Sequence, residues 1–214
     1  MPASPPILAV TWDLDGTLYA TGPHRRRLAL RLLPQLPLIR AWQEAVGTCR
    51  RAPGADLPRQ IAARTAERLG CAEEEAEARL WFFLERTWIP ALRSAHVPPA
   101  VQAALTLLDA RGVPRAVASD HPAWGKLRAL GLAEGWQAVL DGETVGALKP
   151  APELILAAAQ ALGVAPAHLL HVGDRTDTDG AAAEAAGARF LHAIDGGRPL
   201  PERLADALDG RETP

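Results

Sequence analysis

Two aspartates, Asp13 and Asp15, stand directly behind the apolar run Ile7-Leu8-Ala9-Val10-Thr11-Trp12 and are followed by Gly16. A buried strand that ends in two carboxylates and a glycine carries acidic groups into the crevice where open α/β sheets bind ligands. Side chains at i and i+2 of a strand tip point the same way. Such a pair can share a metal ion, or one carboxylate can act as nucleophile while the other moves protons. A plain strand followed by an Asp-Gly turn has the same short sequence, so the residues downstream decide between the two readings.

Three more segments follow in order. Val113-Pro114-Arg115-Ala116-Val117-Ala118-Ser119-Asp120 is a strand ending in a hydroxyl; Lys149-Pro150 opens a helical stretch; His168-Leu169-Leu170-His171-Val172-Gly173-Asp174 is a strand ending in an acid, with Asp177 and Asp179 just beyond. Together with Asp13-Leu14-Asp15-Gly16-Thr17-Leu18, these resemble the four motifs of the haloacid dehalogenase (HAD) superfamily. The likeness is to its phosphatases with a helical C1 cap, the subfamily IA-like, phosphoglycolate phosphatase-like group. It covers the core on both sides of a central insertion, about two thirds of the chain.

The resemblance implies an α/β fold, a Rossmann-like parallel sheet core with a small all-helical C1 cap inserted after strand one. It implies a Mg2+-dependent phosphatase in which Asp13 attacks phosphorus and Asp15 serves as general acid and base. Magnesium would be held by Asp13, the backbone carbonyl of Asp15, and Asp174. Ser119 and Lys149 would bind phosphate, with Asp120 counted in the same set. Asp179 and Asp177 would support the metal and Lys149, and which of them is the second acid of the fourth motif stays open. Dehalogenation is disfavoured, because dehalogenases resembling this family lack the acid at Asp15. A phosphomutase or phosphotransferase would keep every motif, and a catalytically silent binding protein of the same fold is the reading from another class.

Composition agrees with an ordinary globular enzyme. The 214 residues are 48% hydrophobic and carry a net charge of −2 from 23 basic and 25 acidic residues, which gives no electrostatic footprint for nucleic acid or an anionic membrane. The expected partner is a small phosphorylated molecule, with monomer and homodimer both open. No apolar run has transmembrane length, and the start Met1-Pro2-Ala3-Ser4-Pro5-Pro6 lacks a signal-peptide pattern, so a cytoplasmic location is expected. Cys49 and Cys71 form no disulfide framework and are read as reduced structural thiols. Only Lys126 and Lys149 of the basic residues are lysine. Lys149 therefore reads as a compact point charge for phosphate, whereas Lys126 reads as a solvated helix residue.

The elements that must position these groups fall into a core interrupted once. Residues 24–33, 36–51, 59–69 and 72–93 read helical, with a Pro/Gly loop at 52–58. The acidic run of Glu73, Glu74, Glu75 and Glu77 suits a helix start and a solvated face. From residue 99 onward helix and strand alternate: strands at 113–119, 136–140, 168–172 and 188–192, helices at 99–111, 123–130, 151–162 and 180–186. Such succession implies a parallel sheet with helices on both faces. The expected division is core 1–18, cap 19–96 and core 97–214, hinged near 19–22 and 95–99, with loose termini. A closing lid would exclude water from phosphoryl chemistry. His121, Tyr19 and Arg25 are candidate substrate contacts, although His24-Arg25-Arg26-Arg27 also suits a solvated helix face. Trp42, Trp81 and Trp88 are expected in the cap core. Asp177-Thr178-Asp179-Gly180 is superficially like an EF-hand loop, but the register puts Arg175 and Ala186 at ligand positions, where neither can serve.

Overall fold

The computed structural model describes residues 5–51, 56–194 and 197–211. Five strands, β1 (Ala9–Trp12), β2 (Arg115–Ser119), β3 (Ala138–Asp141), β4 (Leu169–Gly173) and β5 (Arg189–His192), form one parallel sheet in the order β3-β2-β1-β4-β5. The three central strands are buried along their whole length, whereas β3 and β5 are half-buried edges. That is why the central strands read as continuous apolar runs, the pattern of a strand covered on both faces.

The chain leaves β1 toward β2 and β3 on one side and returns to β4 and β5 on the other. The order therefore switches direction at β1, and the crevice beyond its C-terminal end is where a ligand binds in such sheets. Asp13 continues the ladder by one bond, its N–H donating to Val172 O at 2.8 Å.

Helices α1 (Thr21–Arg27), α2 (Ala29–Leu32), α3 (Leu36–Arg51), α4 (Leu57–Leu69), α5 (Glu73–Phe82) and α6 (Ile89–Ala91) lie between β1 and β2 and precede α7 (Pro99–Ala110). The rest of the chain adds α8 (Trp124–Leu130), α9 (Gly142–Val145), α10 (Glu153–Leu162), α11 (Ala181–Ala186) and α12 (Leu200–Leu208). A π-helical turn, Phe83–Trp88, joins α5 to α6. Two apolar clusters cover the sheet: one contains Trp12, Leu14, Leu108 and Leu204, the other Ala116, Ile155, Ala159 and Leu169. Trp12 is fully buried, and truncating such an aromatic costs about 3–5 kcal/mol.

The helical insertion has clusters of its own, and one of them, with Ala45, Val46, Leu57 and Ile61, takes in Leu148 from the sheet side. The insertion is thereby packed onto the residue immediately before Lys149.

Several local expectations need correction. Pro58 lies within the first turn of α4, where a missing N–H costs nothing; residues 52–55 of the expected loop fall outside the described residues, as do 1–4 and 212–214 of the termini. Gly22 and Pro23 sit within α1 rather than ahead of it. His24 is buried, its ring edge-on to Trp88 at 4.6 Å and to Tyr19 at 5.9 Å, because that face of α1 packs inward. Trp42 and Trp88 pack against the cap clusters, but Trp81 is 59% exposed because it occupies the outer face of α5. Helices α9 and α12 were not expected. No helix among the described residues is long and apolar enough to cross a membrane.

Candidate active site

The tips of β1, β2 and β4 converge on Asp13. Its Oδ1 accepts from Lys149 Nζ at 2.6 Å, and its Oδ2 accepts from Thr17 Oγ1 at 3.0 Å. Lys149 is buried and donates also to Ala118 O at 3.0 Å, while its ammonium lies 2.6 Å from Asp179 Oδ1. Burial, opposed by Lys149 and reinforced by Asp179, pushes the Asp13 carboxyl up to about 7. For Lys149, burial works against the charge, but Asp13, Asp120 and Asp179 outweigh it and hold the ammonium protonated well above the ordinary lysine value.

Asp179 is delivered by a π-helical turn, Thr176–Gly180, that follows β4. Its Oδ2 accepts the N–H of Arg175 at 3.1 Å. On its other side stands His171, at 3.4 Å from Oδ1, with the opposite ring nitrogen 3.0 Å from Thr11 Oγ1. Burial alone would raise Asp179, but His171 and Lys149 hold it well below the usual carboxylate range. Two glycines make room for the acids. A Cβ on Gly16, which has φ +107°, would land on the Asp174 carboxylate, and one on Gly173 would land on Asp179.

One carboxylate oxygen from each of Asp13, Asp174 and Asp179 lies within 4.8 Å of the others. Three carboxylates facing one ammonium leave a local excess of negative charge, and an all-oxygen donor set suits a hard divalent cation such as Mg2+. The residues present therefore fit the metal that the family resemblance implies. The side chain of Asp15 stands apart from this cluster.

Asp15 is engaged by two donors: Tyr19 OH bonds Oδ1 and Lys126 Nζ bonds Oδ2. Burial would raise its pKa, but Lys126, His121 and the Tyr19 hydroxyl together hold it below the ordinary value. Tyr19 is itself fully buried, so its hydroxyl serves Asp15 in this structure. Lys126, expected on the solvated face of α8, is instead buried. That expectation is overturned: the only two lysines of the chain each pair with one of the two aspartates that open the site.

Ser119 ends β2, its Oγ accepting the N–H of His121 at 3.3 Å. Asp120, expected among phosphate ligands, is placed otherwise: Oδ1 accepts the backbone N–H of Lys149 at 2.9 Å and Oδ2 takes Arg50 Nη2 of α3 at 2.5 Å. Its side chain anchors the lysine rather than an anion, as a carboxylate beside a phosphate should. Asp177 is also corrected. Its side chain is 71% exposed and paired with Arg175 at 2.6 Å, on the outward side of the turn that sends Asp179 inward.

Between the strand tips and the cap lies a cleft of about 820 Å³, lined on the core side by Asp13, Asp15, Lys126 and Lys149 and on the cap side by apolar residues such as Leu36, Trp42 and Phe83 together with the arginines Arg25, Arg40 and Arg50. Arg25 reaches this cleft from α1, and His121 lines it while its ring lies 4.7 Å from that of Trp42. Burial, with Lys126 adding to it, pushes the His121 imidazole down to about 4, so the ring is neutral at pH 7. Lys126 and Arg50 were the site residues that motif reading missed. The scarcity of lysine was the available signal for the first, and no local signal marked the second.

Comparison with known proteins adds a family. The family model for haloacid dehalogenase-like hydrolases matches residues 7–187. A phosphoglycolate phosphatase of Rhodospirillum rubrum is 35% identical over 184 residues, covering 84% of this chain and 76% of the relative. The phosphoglycolate phosphatase of Escherichia coli is 30% identical over 200 residues, covering 85% of this chain and 79% of the relative. Among solved structures, a 2-haloacid dehalogenase from Pseudomonas syringae pv. Tomato aligns with a TM-score of 0.65 at 27% identity, covering 95% of this chain and 98% of that one. A HAD phosphatase from Thermococcus onnurineus aligns with a TM-score of 0.62 at 19% identity over 97% and 100% of the two chains, a likeness of fold.

Proposed function

This chain belongs to the haloacid dehalogenase-like hydrolases, and from that membership we propose that it is a magnesium-dependent phosphatase hydrolysing a small phosphorylated metabolite through an aspartyl-phosphate intermediate. The observation that carries the reading is the pairing of Asp13 with Lys149 at 2.6 Å while Asp15, two residues on, lines the same cleft. A nucleophile with a separate acid and base beside it is what ester hydrolysis in two steps requires. The relatives named phosphoglycolate phosphatase support a phosphate monoester as substrate. Asp15 favours this chemistry over halide displacement, which has no leaving oxygen to protonate.

In the first step a carboxylate oxygen of Asp13 attacks phosphorus, and the bond to the ester oxygen breaks as Asp15 passes that oxygen a proton, which a monoanionic phosphate ester brings to Asp15 on binding because Lys126, His121 and Tyr19 keep the resting carboxyl ionised. In the second step Asp15, now a base, takes a proton from water; the water oxygen attacks phosphorus and Asp13 leaves as a carboxylate. Lys149 holds Asp13 in place and, with Ser119, meets the negative charge of the phosphoryl oxygens. Magnesium, held by Asp13, Asp174 and the backbone carbonyl of Asp15, with Asp179 beside them, would supply the charge neutralisation that lets a carboxylate approach a phosphate dianion. The cap wall would exclude bulk water. In this reading the partner is a small molecule in the cytoplasm, with neither nucleic acid nor membrane involved.

The test is phosphate release from a panel of phosphorylated metabolites, with magnesium and with EDTA, and with Asp13→Asn in parallel. Magnesium-dependent release that vanishes in the variant is expected. Undiminished release from Asp13→Asn would remove Asp13 as nucleophile, and release of halide from 2-haloacids with no phosphatase activity would replace the proposal.

A further inference from the structure

The first segment of the cap, α1 and α2, and its last, from the π-helical turn to Ser94, each present two faces. One face borders the catalytic cleft through Arg25, Ala29, Leu84 and Trp88. The other borders a separate cavity of about 400 Å³, to which the first segment contributes Arg27, Leu28 and Arg31 and the last Arg86, Pro90 and Ser94. Helical spacing produces the split: residues 25 and 29 share one face, and 24, 27, 28 and 31 share another.

This cavity is basic without a counter-charge. Three arginines line it, from both segments, and no acidic residue does. Arg31 and Arg86 form no ion pair among the described residues, and Arg27 donates to Ser94 O, a neutral acceptor on the opposite segment. His24 lines the cavity too, and its buried Nε2 has no hydrogen-bond partner among the described residues. Arginines on an ordinary solvated helix face look outward singly, whereas these border one concavity from two sides. A concave surface of one sign focuses its potential and draws in counter-ions, and guanidinium groups match the oxygens of a phosphate. Leu28, Pro90 and Ala91 add an apolar wall against which an organic substituent can lie.

We propose that this cavity is a second anion site, which takes a phosphate group, free or carried on a small molecule, and whose occupation slows turnover by tying the two cap segments together. An anion held by Arg27 and Arg31 on one side and Arg86 on the other adds a bridge to the one that Arg27 and Ser94 already make. The tie reaches the cleft through His24. Its ring meets Tyr19, the hydrogen-bond partner of Asp15, and Trp88, which lines the cleft. Where a cap must open to release product, such a tie lowers kcat. The effect on turnover rests on the phosphatase reading; the binding does not.

The experiment titrates inorganic phosphate against the wild-type enzyme and Arg31→Gln/Arg86→Gln, two exposed positions outside the catalytic cleft. In both proteins phosphate competes at the cleft, which raises KM alone. In the wild type the second site adds a fall in kcat that substrate does not overcome. The double variant should weaken that component about 10-fold or more, with kcat in the absence of phosphate unchanged. Purely competitive inhibition of the wild type, or a fall in kcat that persists undiminished in the variant, would overturn the proposal. Phenylphosphonate, whose carbon–phosphorus bond is not an ester, is run beside phosphate: a stronger effect on kcat assigns the site to phosphorylated organic molecules, a weaker one to free phosphate. Binding is read without catalysis from the melting temperature in EDTA. Phosphate should raise the Tm of the wild type more than that of the double variant, and equal rises would remove the site. A wild type that releases phosphate from no monoester while the Tm difference holds would strike the phosphatase reading and leave the anion site standing.

Discussion

Asp120 holds Lys149 by its backbone: the carboxylate accepts the lysine N–H at 2.9 Å, while the same lysine's ammonium reaches Asp13 at 2.6 Å. Arg50, from the cap helix α3, occupies the other oxygen of Asp120. A cap residue, a strand-tip acid and the lysine that reaches Asp13 are therefore one connected unit, and the position of Lys149 is set from both sides of the cleft.

Removing the anchor should be felt in turnover more than in folding. Asp120→Ala leaves the Lys149 amide without its acceptor and Arg50 without its partner, at a cost of about 1–3 kcal/mol in stability. The looser ammonium should lower kcat by roughly 10- to 100-fold. Asp120→Asn, which keeps an acceptor for the amide, should recover most of it. Steady-state kinetics with urea melts check this, and an Asp120→Ala enzyme with native kcat would break the link.

Gly16 is required twice over, by its φ of +107° and by the Asp174 carboxylate where a side chain would go. Gly16→Ala should destabilise the protein by more than about 1 kcal/mol and displace Asp174. Urea midpoints report the first effect, and weakened magnesium binding by calorimetry reports the second. Unchanged magnesium affinity would mean that Asp174 has room to move aside.

Magnesium should stabilise the folded protein, because the converging carboxylates of Asp13, Asp174 and Asp179 exist only when it is folded. At 100 times the dissociation constant the gain is about 2.7 kcal/mol, seen as a rise in Tm that EDTA reverses. Asp174→Asn should abolish most of that rise. A Tm indifferent to magnesium in the wild type would deny the cluster its metal.

Much of this architecture was legible because it is local. Asp13, Ser119 and Asp174 lie at or just beyond the ends of apolar runs that can only be buried strands, and a parallel sheet brings such ends to one edge. The residues that escaped are those placed by tertiary packing. Lys126 meets Asp15 across 111 residues of sequence, and Arg50 meets Asp120 across 70. Nothing in the periodicity of α8 or α3 tells which charged residue turns inward. Asp177 failed for the opposite reason: the π-helical turn Thr176–Gly180 sends two acids, two positions apart, to opposite environments, one buried and one in solvent.

That division makes a paired prediction. Asp177→Ala removes an exposed ion pair with Arg175 and should change stability by less than about 0.5 kcal/mol and activity hardly at all. Asp179→Ala removes a buried carboxylate that both Lys149 and His171 face, leaving Lys149 to Asp13 and Ala118 O and His171 to Thr11, and should reduce turnover by orders of magnitude. Assaying both variants side by side tests the assignment, and comparable losses from the two would reverse it.

His121 gives the protein a pH dependence whose sign can be worked out. Its folded pKa is about 4, against an ordinary value of 6.5, because burial and Lys126 oppose the charge. Above pH 6.5 the ring is neutral whether the chain is folded or not, so it costs nothing. Between 6.5 and 4 the unfolded chain takes up a proton that the folded one refuses, and stability falls as the pH falls. Asp13, raised to about 7 by burial, works in the opposite direction throughout that range, and the buried His24 and His171 are lowered as His121 is, so the wild-type curve alone mixes several groups. Comparison with His121→Gln isolates the histidine. The stability of the variant relative to wild type should improve by roughly 1 kcal/mol, and at most about 2, between pH 7.5 and pH 5, since the ring is only partly enclosed. Urea melts at the two pH values and constant ionic strength measure this difference, and parallel curves for the two proteins would show that His121 takes up its proton in the folded state as readily as in the unfolded one.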